Sequence, residues 1–348
     1  MRPLIIPIFL PAMGCHERCL FCNQKATAEG LPSPSFVRNF IEASLAGIPY
    51  DKKSREKQIA FYGGSFTAIR RDDQIRYLKE VQPFLAPGLI DSIRISTRPD
   101  ALDEETLSLL KEYEVKTVEI GVQSMSDEVL HLAHRGHRAE DTVSATSRLK
   151  RWGFEVGLQL MIGLPGDTCD RFLQTLDRII ELRPDFLRIH PTLVLKGAPL
   201  EILWREGRYS PLQLDEAVQW LKKGILRLEN SSLPVARIGL QPTKELERDY
   251  LAGPYHPAFR QLVDSAIFFD MATSLLQISQ KNGRSLFFCH PKEISNLRGQ
   301  RNENIQRLKK RFKLSEILIE ERQELQRGTL GLQTQGEEVS IHRKSLVL

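Results

Sequence analysis

The sequence predicts an α/β fold, a partial (βα)6 barrel of the TIM type with a mostly helical C-terminal extension. Two observations predict it: six short apolar runs alternate with amphipathic segments over the first 200 residues, and the pattern changes after Leu200. Such alternation is typical of parallel strands joined by right-handed helical crossovers. Six units are too few for the closed eight-fold barrel, so we expect a sheet that curls only part of the way.

The predicted strands are short apolar runs, and the predicted helices carry apolar residues at three-to-four spacing. The strands are Leu4–Leu10, Gln58–Tyr62, Ser92–Ser96, Thr117–Val122, Glu155–Ile162 and Phe186–Thr192. The helices are Phe36–Ala46, Asp72–Phe84, Asp103–Tyr113, Ala139–Trp152 and Cys169–Leu182.

The C-terminal part is predicted as helices with two further strands. These elements are the helix Pro211–Glu229, the strand Pro234–Gln241, the largely helical segment His256–Lys281, the strand Ser285–Cys289 and the amphipathic helix Asn302–Phe312. We therefore expect three parts: a core over 1–200, helices and a strand that complete the barrel over 201–280, and a basic extension over 281–348.

Composition is that of an ordinary globular protein, with 41% hydrophobic and 27% charged residues in 348. No run of 18 uncharged apolar residues occurs, which predicts no membrane-spanning helix and no membrane partner. The apolar start, Met1 to Pro11, is interpreted as the first strand and not as a signal peptide. Five cysteines, three of them within eight residues, favour metal binding in a reducing compartment over a disulfide framework. The expected location is the cytoplasm.

The net charge of +5 is unevenly placed along the chain. Residues 281–348 contain 14 Lys and Arg against 8 Asp and Glu, a net of +6, so the remainder carries −1. A basic segment on a neutral body suggests an anionic partner, and the alternative is a solvated helix face.

Polar and glycine-rich motifs follow the predicted strands, where the βα loops of a parallel barrel carry functional residues. The cysteines follow the first strand. The later motifs are Gly63-Gly64-Ser65, Ser96-Thr97-Arg98-Pro99, Gln123-Ser124, Gly163-Leu164-Pro165-Gly166 and His190-Pro191-Thr192.

The spacing Cys15-x3-Cys19-x2-Cys22 is the sharpest signal in the chain. Thiolates are the soft ligands that iron–sulfur clusters need, and three on one loop leave one iron of a 4Fe–4S cubane open. Phe21 is expected to shield such a cluster from water. The alternative is a zinc loop with His16 as fourth ligand, although structural zinc sites usually take ligands from two separated pairs.

Two further cysteines stand alone in the sequence. Cys169 could complete a cluster and thereby close the open iron, but we expect Cys169 and Cys289 to be ordinary buried thiols.

The cysteine spacing and the Gly-Gly motif after the second strand together resemble those of the radical S-adenosylmethionine (SAM) superfamily. The resemblance implies a 4Fe–4S cluster on Cys15, Cys19 and Cys22, with SAM chelating the open iron. It further implies that an electron, supplied by reduced flavodoxin or ferredoxin, cleaves SAM to a 5′-deoxyadenosyl radical that abstracts hydrogen from a substrate.

The chain is similar in particular to the radical SAM core of the elongator catalytic subunit, over roughly residues 3–200. The similar stretches are Tyr62-Gly63-Gly64-Ser65-Phe66, Ser96-Thr97-Arg98-Pro99-Asp100, Val118 to Ser124, Arg135-Gly136-His137 and Pro191 to Gly197. That family modifies wobble uridine in tRNA with SAM and acetyl-CoA, which implies tRNA as a partner. The cysteine spacing is tighter here, and no acetyl-CoA loop is found after Leu200, so no acetyltransferase domain is expected. Gly163 to Gly166 and Gly121 to Ser124 also resemble coproporphyrinogen oxidase-like radical SAM proteins.

The resemblance implies SAM-binding roles for residues at the strand ends. Gly63 and Gly64, followed by Ser65, would let backbone carbonyls accept from the SAM amino group, although a tight turn also needs glycine. Ser96 and Thr97 would bond ribose hydroxyls or cap the next helix. Arg98 would pair with the SAM carboxylate or with a carboxylate of the protein.

Three further SAM contacts are expected from later strands. Gln123 would contact ribose or substrate, and Ile162 would pack on adenine. Lys196 would bind SAM or a substrate phosphate. The alternative is that it lies on the surface and binds neither.

Loop residues outside these motifs are substrate candidates. His134, Arg135 and His137 could hold an anionic substrate or lie in solvent, and Tyr255 and His256 are further candidates. No catalytic side chain is predicted.

Two alternatives to the radical SAM enzyme differ from it in class. One is a non-catalytic haem-binding protein on the same scaffold, with an axial ligand from His134, His137, His190 or His256. The other is a zinc-stabilised RNA-binding protein.

Overall fold

A computed structural model describes residues 3–11, 13–23, 32–49, 55–278, 283–333 and 337–346. The chain divides into two compact units. The first unit comprises Met1–Pro211, Leu233–Ala236 and Pro242–Gly253, and the second comprises Leu212–Ser232, Arg237–Gln241 and Pro254–Leu348.

The first unit is built on a seven-stranded sheet with the strand order β1-β2-β3-β4-β5-β6-β8. The strands are β1 Leu4–Leu10, β2 Lys57–Gly63, β3 Ser92–Thr97, β4 Val115–Gln123, β5 Glu155–Ile162, β6 Phe186–Pro191 and β8 Val235–Ile238. β1 to β6 pair in parallel in sequence order. A short β7, Val194–Leu195, pairs antiparallel with β9, Tyr250–Ala252. The six strands predicted before residue 200 are confirmed.

Helices follow the strands as crossovers. They are α1 Pro34–Ala46, α2 Arg71–Leu85, α3 Glu104–Glu112, α4 Asp127–Leu132, α5 Ala139–Arg151, α6 Cys169–Leu182, α7 Pro199–Arg205 and α9 Lys244–Asp249. Side-chain caps fix several starts: Ser33 accepts from the Phe36 amide and Asp103 from the Thr106 amide. The five predicted crossover helices are confirmed, whereas α4 and α7 are too short to show a clear apolar period.

The sheet curls, because side chains from distant strands meet on one face. β2 and β6 are four strands apart, about 19 Å in a flat sheet. Yet the Arg188 Nη2 donates to the Tyr62 hydroxyl at 3.0 Å. This contact requires the strands to close around a common interior, which confirms the predicted partial barrel. We call the face that carries Tyr62 and Arg188 the inner face.

The second unit combines helices with a four-stranded sheet of order β11-β10-β12-β13. Its elements are α8 Leu214–Asn230, α10 Phe259–Ile278, β10 Arg284–Cys289, α11 Ile294–Arg298, α12 Glu303–Phe312, β11 Glu316–Glu321, β12 Thr329–Gln333 and β13 Glu338–His342. The predicted helices and the strand β10 are confirmed, and β11 to β13 were not predicted. The end of the predicted segment His256–Lys281 lies outside the described residues. Among those described, no helix is long and apolar enough to cross a membrane.

Candidate functional site

The three clustered cysteines lie on one loop, between β1 and α1, at the carboxyl end of the sheet. Cys15 is exposed, Cys22 is partly buried and Cys19 is buried. The loop is fixed on both sides of Leu20, whose amide donates to the Ala133 carbonyl at 3.1 Å and whose carbonyl accepts from the Leu200 amide at 2.8 Å. The thiols are therefore presented from a backbone that the surrounding fold holds in place.

Two glycines allow this loop to pack on the turn that follows β2. Gly14 has φ +68°, and a Cβ there would lie 2.2 Å from the Ser65 carbonyl oxygen. A Cβ on Gly64 would lie 2.1 Å from the Met13 carbonyl oxygen, which also accepts from the Ser65 amide at 2.8 Å. Gly64 thus allows the cysteine loop and the turn after β2 to approach closely. This is the structural role that the sequence offered as the alternative to SAM binding. Gly63 adopts φ +106°, which also favours glycine.

Arg135 places a buried positive charge against the cysteine loop. Its Nη1 donates to the Cys19 sulfur at 3.2 Å and its Nη2 donates to the Gly121 carbonyl at 2.7 Å. The residue is only 7% exposed. A fixed guanidinium here stabilises negative charge on the sulfur. The sequence left Arg135 open between binding an anion and lying in solvent, and its burial argues against the second. Its contact with a cysteine was not foreseen.

The Cys15 thiol is affected by several neighbours. Burial raises its pKa, and so does Cys19, while a hydrogen bond with the Ser65 backbone, Arg135 and Arg98 lower it. The free thiol therefore gains its proton readily, and a bound metal would displace that proton.

The zinc alternative requires three or four ligands close together, about 4 Å from one another. Over the described part of the chain, no three His, Cys, Asp or Glu side chains are grouped closely enough to hold one metal ion. A cubane binds each thiolate through a different iron, and three thiolates on one loop are the donors that such a cluster uses.

The residues predicted after β2 and β3 come together in one hydrogen-bonded group. The hydroxyls of Ser65 and Thr97 lie 3.0 Å apart, and the Ser65 Oγ accepts from the Arg98 amide at 3.2 Å. Ser96 instead donates to the Phe61 carbonyl at 3.3 Å. The suggestion that Ser96 or Thr97 caps the next helix is wrong, because Asp103 caps α3.

Arg98 pairs with a carboxylate of the protein. Its Nε and Nη2 donate to the two carboxylate oxygens of Asp100 at 2.9 and 2.7 Å. Such a bidentate pair is among the stronger charge-assisted contacts, and it lowers the pKa of Asp100 despite burial. Arg98 was expected to pair either with the SAM carboxylate or with a carboxylate of the protein, and the structure shows the pairing with a protein carboxylate.

Several buried polar atoms at the carboxyl end of the sheet have no partner in the described residues. They are Asn23 Oδ1, Gln123 Oε1, Arg135 Nε and Thr192 Oγ1. They come from the loop itself, from the ends of β4 and β6, and from the α4–α5 loop. An unpaired buried polar atom costs about 1–3 kcal/mol, a cost that a polar ligand at this end of the sheet would offset. The amino, carboxylate and ribose groups of SAM would supply such partners, and the residues fit that group.

Gly121 lies beside two of these residues, Gln123 and Arg135. A Cβ on Gly121 would be 2.9 Å from the Gln123 Nε2 and 3.4 Å from the Arg135 Nη2. Gln123 itself is buried and adopts φ +67°, an uncommon conformation for a residue other than glycine. The strained end of β4 brings Gln123 beside Arg135.

Strand alternation favours Met161 over the predicted Ile162 as an inner-face contact. Side chains two apart share a face of a strand. Ile162 is fully buried and shares its face with Leu158 and Leu160, whereas Met161 alternates with them. Met161 belongs to an apolar cluster with Leu164, against which Phe21 packs.

Lys196 lies at the other end of the cysteine loop. Its side chain is exposed, and its amide donates to the Asp249 carbonyl at 2.8 Å. The Asp249 carboxylate accepts from the Asn23 Nδ2 at 3.5 Å. Among the described residues, no hydrogen bond or ion pair joins Lys196 to Ser65 or Thr97, and its exposure agrees with the surface-lysine alternative.

A buried ionic network covers the inner face below these residues. Glu119 accepts from the Tyr62 hydroxyl at 2.8 Å and from the Arg94 Nη1 at 2.7 Å, and its other oxygen lies 2.8 Å from the Arg188 Nε. Arg94 also donates to Gln58. Burial and Glu119 raise the Tyr62 pKa, so the phenol stays protonated. Charged side chains inside apolar strands were a visible signal of this network, but they were not singled out from the sequence.

The histidines proposed as haem ligands do not form an apolar pocket. His134 and His137 line a cavity of about 800 Å³ whose wall also includes Glu17, Arg18 and Asp127. A haem macrocycle needs apolar walls, which this lining does not offer. Burial and Arg135 lower the pKa of His137 to about 4, so it is neutral at physiological pH. His256 belongs to the second unit, where its ring contacts the Ala258 amide and Gln300.

Asp167 shapes the turn after β5. Its carboxylate accepts from the amides of Gly163 and Thr168 at 2.9 and 3.0 Å, and the Tyr209 hydroxyl donates to the Gly163 carbonyl at 2.6 Å. Burial raises the pKa of Asp167 to about 7, although both hydrogen bonds oppose the shift.

This pKa predicts a pH-dependent stability. A carboxyl with a folded pKa of about 7 and an ordinary value of 3.8 binds its proton more tightly when folded. Its contribution to stability is therefore fully present below pH 3.8 and is lost as pH rises to about 7. We expect the free energy of unfolding of the wild type, relative to Asp167→Asn, to fall across this window in denaturant titrations. A difference that is constant with pH would contradict the assignment.

Comparison with known proteins gives two matching sequence families. The family described as "Radical SAM superfamily" matches residues 9–179, and "Radical_SAM C-terminal domain" matches residues 184–268. Together they cover most of the chain.

Individual relatives are similar over part of their length. The chain is 36% identical over 251 residues to a tRNA uridine(34) acetyltransferase of Methanocaldococcus infernus, with 60% of this chain and 46% of that protein covered. It is 27% identical over 205 residues to protein YhcC of Escherichia coli K12, covering 57% of this chain and 63% of that one. The chain thus spans less than two thirds of these relatives.

A solved structure shares the fold. The archaeal Methanocaldococcus infernus Elp3 with an N-terminal deletion superposes with a TM-score of 0.60 and 22% identity, covering 77% of this chain and 63% of that chain. At this identity the likeness supports the partial-barrel fold alone.

Proposed function

Because the chain belongs to the radical SAM superfamily and is a radical SAM enzyme, we propose that Cys15, Cys19 and Cys22 hold three irons of a 4Fe–4S cluster whose fourth iron binds SAM. When bound, cluster and SAM supply one-electron cleavage of SAM to a 5′-deoxyadenosyl radical. The observation that carries the proposal is Arg135, a buried cation on the Cys19 sulfur beside unpartnered polar atoms.

Arg135 would act on both cofactors. Its two terminal nitrogens are held by Cys19 and by the Gly121 carbonyl, which leaves Nε for an anionic group. The SAM carboxylate is such a group. Arg98 would act indirectly, because its guanidinium is occupied by Asp100. It would hold Ser65 and Thr97 in position behind the cysteine loop.

The remaining predicted contacts stay proposals with different support. Gln123 is supported by its unpartnered Oε1, and Asn23 and Thr192 join it on the same ground. Gly63 and Gly64 would offer backbone carbonyls. For Ser96, Ile162 and Lys196, the described contacts give no added support.

The inner-face network would form the floor of the reaction site. Tyr62, Arg188 and Glu119 hold one another, so their positions are fixed before any substrate arrives. Such a rigid floor would hold a substrate in place and exclude water from the site.

We propose tRNA as the substrate class. The support is twofold: relatives named tRNA uridine(34) acetyltransferase, and a net charge of +6 over 281–348. Reduced flavodoxin or ferredoxin is proposed as the electron donor, and the cytoplasm as the location.

The experiment that tests this function uses anaerobically reconstituted protein with SAM, a chemical reductant and bulk tRNA. We expect 5′-deoxyadenosine formation to be stimulated by tRNA, and a digest of that tRNA to contain a nucleoside of altered mass. Nuclease-treated tRNA is the control. If 5′-deoxyadenosine forms at the same rate with and without tRNA and no nucleoside changes, tRNA is not the substrate.

Arg135→Gln is expected to weaken SAM binding. The variant loses a charged partner for the SAM carboxylate, and hydrogen bonds to charged groups contribute about 1.5–3 kcal/mol. KM for SAM should therefore rise about 10- to 100-fold. The matched control is Arg138→Gln, an exposed arginine on the same loop, which should leave KM unchanged. If both variants have the same KM for SAM, Arg135 does not contact SAM.

A further inference from the structure

The helix α12 of the second unit presents a basic face whose charges form no ion pair with the described residues. Asn304, Leu308 and Phe312 recur every fourth residue and are buried. The Asn304 Nδ2 donates to the carbonyls of Ser265 and Asn296 at 2.9 and 3.2 Å, which fixes the rotation of the helix. Its opposite side therefore points consistently to solvent.

Three exposed cations lie together on one flank of the helix, beside its buried residues. Arg307, Lys310 and Arg311 follow the i, i+3, i+4 spacing that makes helix residues neighbours. We call these three residues the basic face. Exposed Arg301 and Lys313 flank it at the two ends of the helix. Stabilisation of the helix dipole accounts for cations in the last turn, but not for Arg301 or Arg307.

The basic face is not neutralised by carboxylates. Within the described ranges, Arg307, Lys310 and Arg311 form no ion pair, and Glu303, one turn before Arg307, makes none with it. Other arginines of this unit do pair: Arg260 with Asp264, Arg322 with Glu338, and Arg343 with Glu229 and Asp264.

Aromatic contacts hold the two arginines instead. The Arg307 guanidinium lies 4.1 Å from the centre of the Phe269 ring, and the Arg311 guanidinium lies 5.7 Å from that of Phe312. A guanidinium stacked on a ring keeps its N–H donors free at the edge, in the geometry that binds phosphate. The cations are thus oriented without losing their charge.

We propose that the basic face of α12 binds the phosphate backbone of RNA. The charge of the face is complementary to phosphate, and nothing in its chemistry reads a base, so binding would position RNA without sequence preference. α12 lies outside residues 184–268, the range of the C-terminal family match. The inference rests on the proposed tRNA substrate and assigns it a contact surface.

The test measures binding of an unmodified tRNA transcript to the full chain as a function of salt. Each phosphate contact contributes about 0.7–0.9 to the slope of log K against log salt concentration. The variant Arg307→Gln/Lys310→Gln/Arg311→Gln should reduce this slope by about 2 to 3 and weaken binding at 0.1 M salt by about 10-fold or more. Lys79→Gln/Arg151→Gln/Lys223→Gln changes net charge equally at exposed positions elsewhere and should keep the wild-type slope.

Two further variants guard against loss of folding. Arg307→Lys/Arg311→Lys keeps the charge and should retain the slope. Lys310→Gln alone, at an exposed side chain that forms no ion pair with the described residues, should lower the slope by about 0.7–0.9.

Separate outcomes distinguish this inference from the function on which it rests. If the wild type binds tRNA with a steep slope that the triple α12 variant retains, the basic face is not the RNA contact, and the tRNA proposal stands. If the wild type does not bind tRNA, both fail. If it binds phosphatidylglycerol vesicles instead, and the α12 variant abolishes that binding, the surface serves a membrane and the inference is overturned. Formation of 5′-deoxyadenosine from SAM alone should be equal in all variants.

Discussion

Cys19→Ala is expected to abolish reductive cleavage of SAM. The substitution removes one of three thiolates from the loop and leaves Arg135 without the sulfur to which it donates at 3.2 Å. The rate of 5′-deoxyadenosine formation should fall at least about 10³-fold, since enzymes accelerate their reactions by 10⁶-fold or more. Iron and sulfide should be lost together with activity.

The chain offers two matched controls for this prediction. Cys169 begins α6, and Cys289 is buried in the second unit, where burial, Glu293 and Glu321 raise its pKa to about 12. A thiol that holds its proton so tightly is a poor ligand. Cys169→Ala and Cys289→Ala should therefore retain iron and activity. Retention of the cluster in Cys19→Ala, or its loss in Cys169→Ala, would show that a different set of cysteines binds it.

Glu119→Ala is expected to destabilise the first unit severely. The Glu119 carboxylate is 4% exposed and lies 2.7 Å from Arg94 and 2.8 Å from Arg188. Its removal takes the carboxylate partner from Arg188 and leaves Arg94 with Gln58 and with the more distant Glu155 at 3.8 Å. Breaking a buried pair in this way costs about 3–5 kcal/mol. The free energy of unfolding, measured by urea titration, should fall by that amount.

The control for this measurement is Glu112→Ala, at an exposed position of α3, which should change stability by no more than about 0.5 kcal/mol. Equal stabilities of the two variants would show that the inner-face network does not hold the barrel together.

Local sequence patterns were sufficient to predict the strands and helices of the core. β1 and α6 have the predicted bounds, Leu4–Leu10 and Cys169–Leu182, because apolar spacing reports directly which side of a segment is buried. The same patterns placed the cysteine loop and the glycine turn at the carboxyl ends of β1 and β2. Parallel topology then brought Ser65 and Thr97 within 3.0 Å of each other.

Contacts between distant strands could not be predicted from such local patterns. The pairing of Glu119 with Arg188 depends on how far the sheet curls, and no local spacing determines that curl. The contact of Arg135 with Cys19 likewise joins two loops that are 116 residues apart. The suggestion that Ser96 or Thr97 caps a helix was wrong because α3 begins later, at Glu104.

The unpredicted sheet of the second unit has a similar cause. β11 contains Glu316, Glu320 and Glu321 around a short apolar stretch, so its alternation is weak. β12 contains Gly331, whose missing side chain makes room for the Phe288 ring, a contact from the neighbouring β10. These strands are stabilised by pairing with β10 more than by their own propensity.

The most direct measurement of the central proposal is quantification of iron, sulfide and zinc in protein purified and reconstituted without oxygen, followed by addition of SAM and a reductant. A cubane on Cys15, Cys19 and Cys22 predicts about four irons and four sulfides per chain, with 5′-deoxyadenosine released when SAM is added. About one zinc per chain and no cleavage of SAM would contradict it.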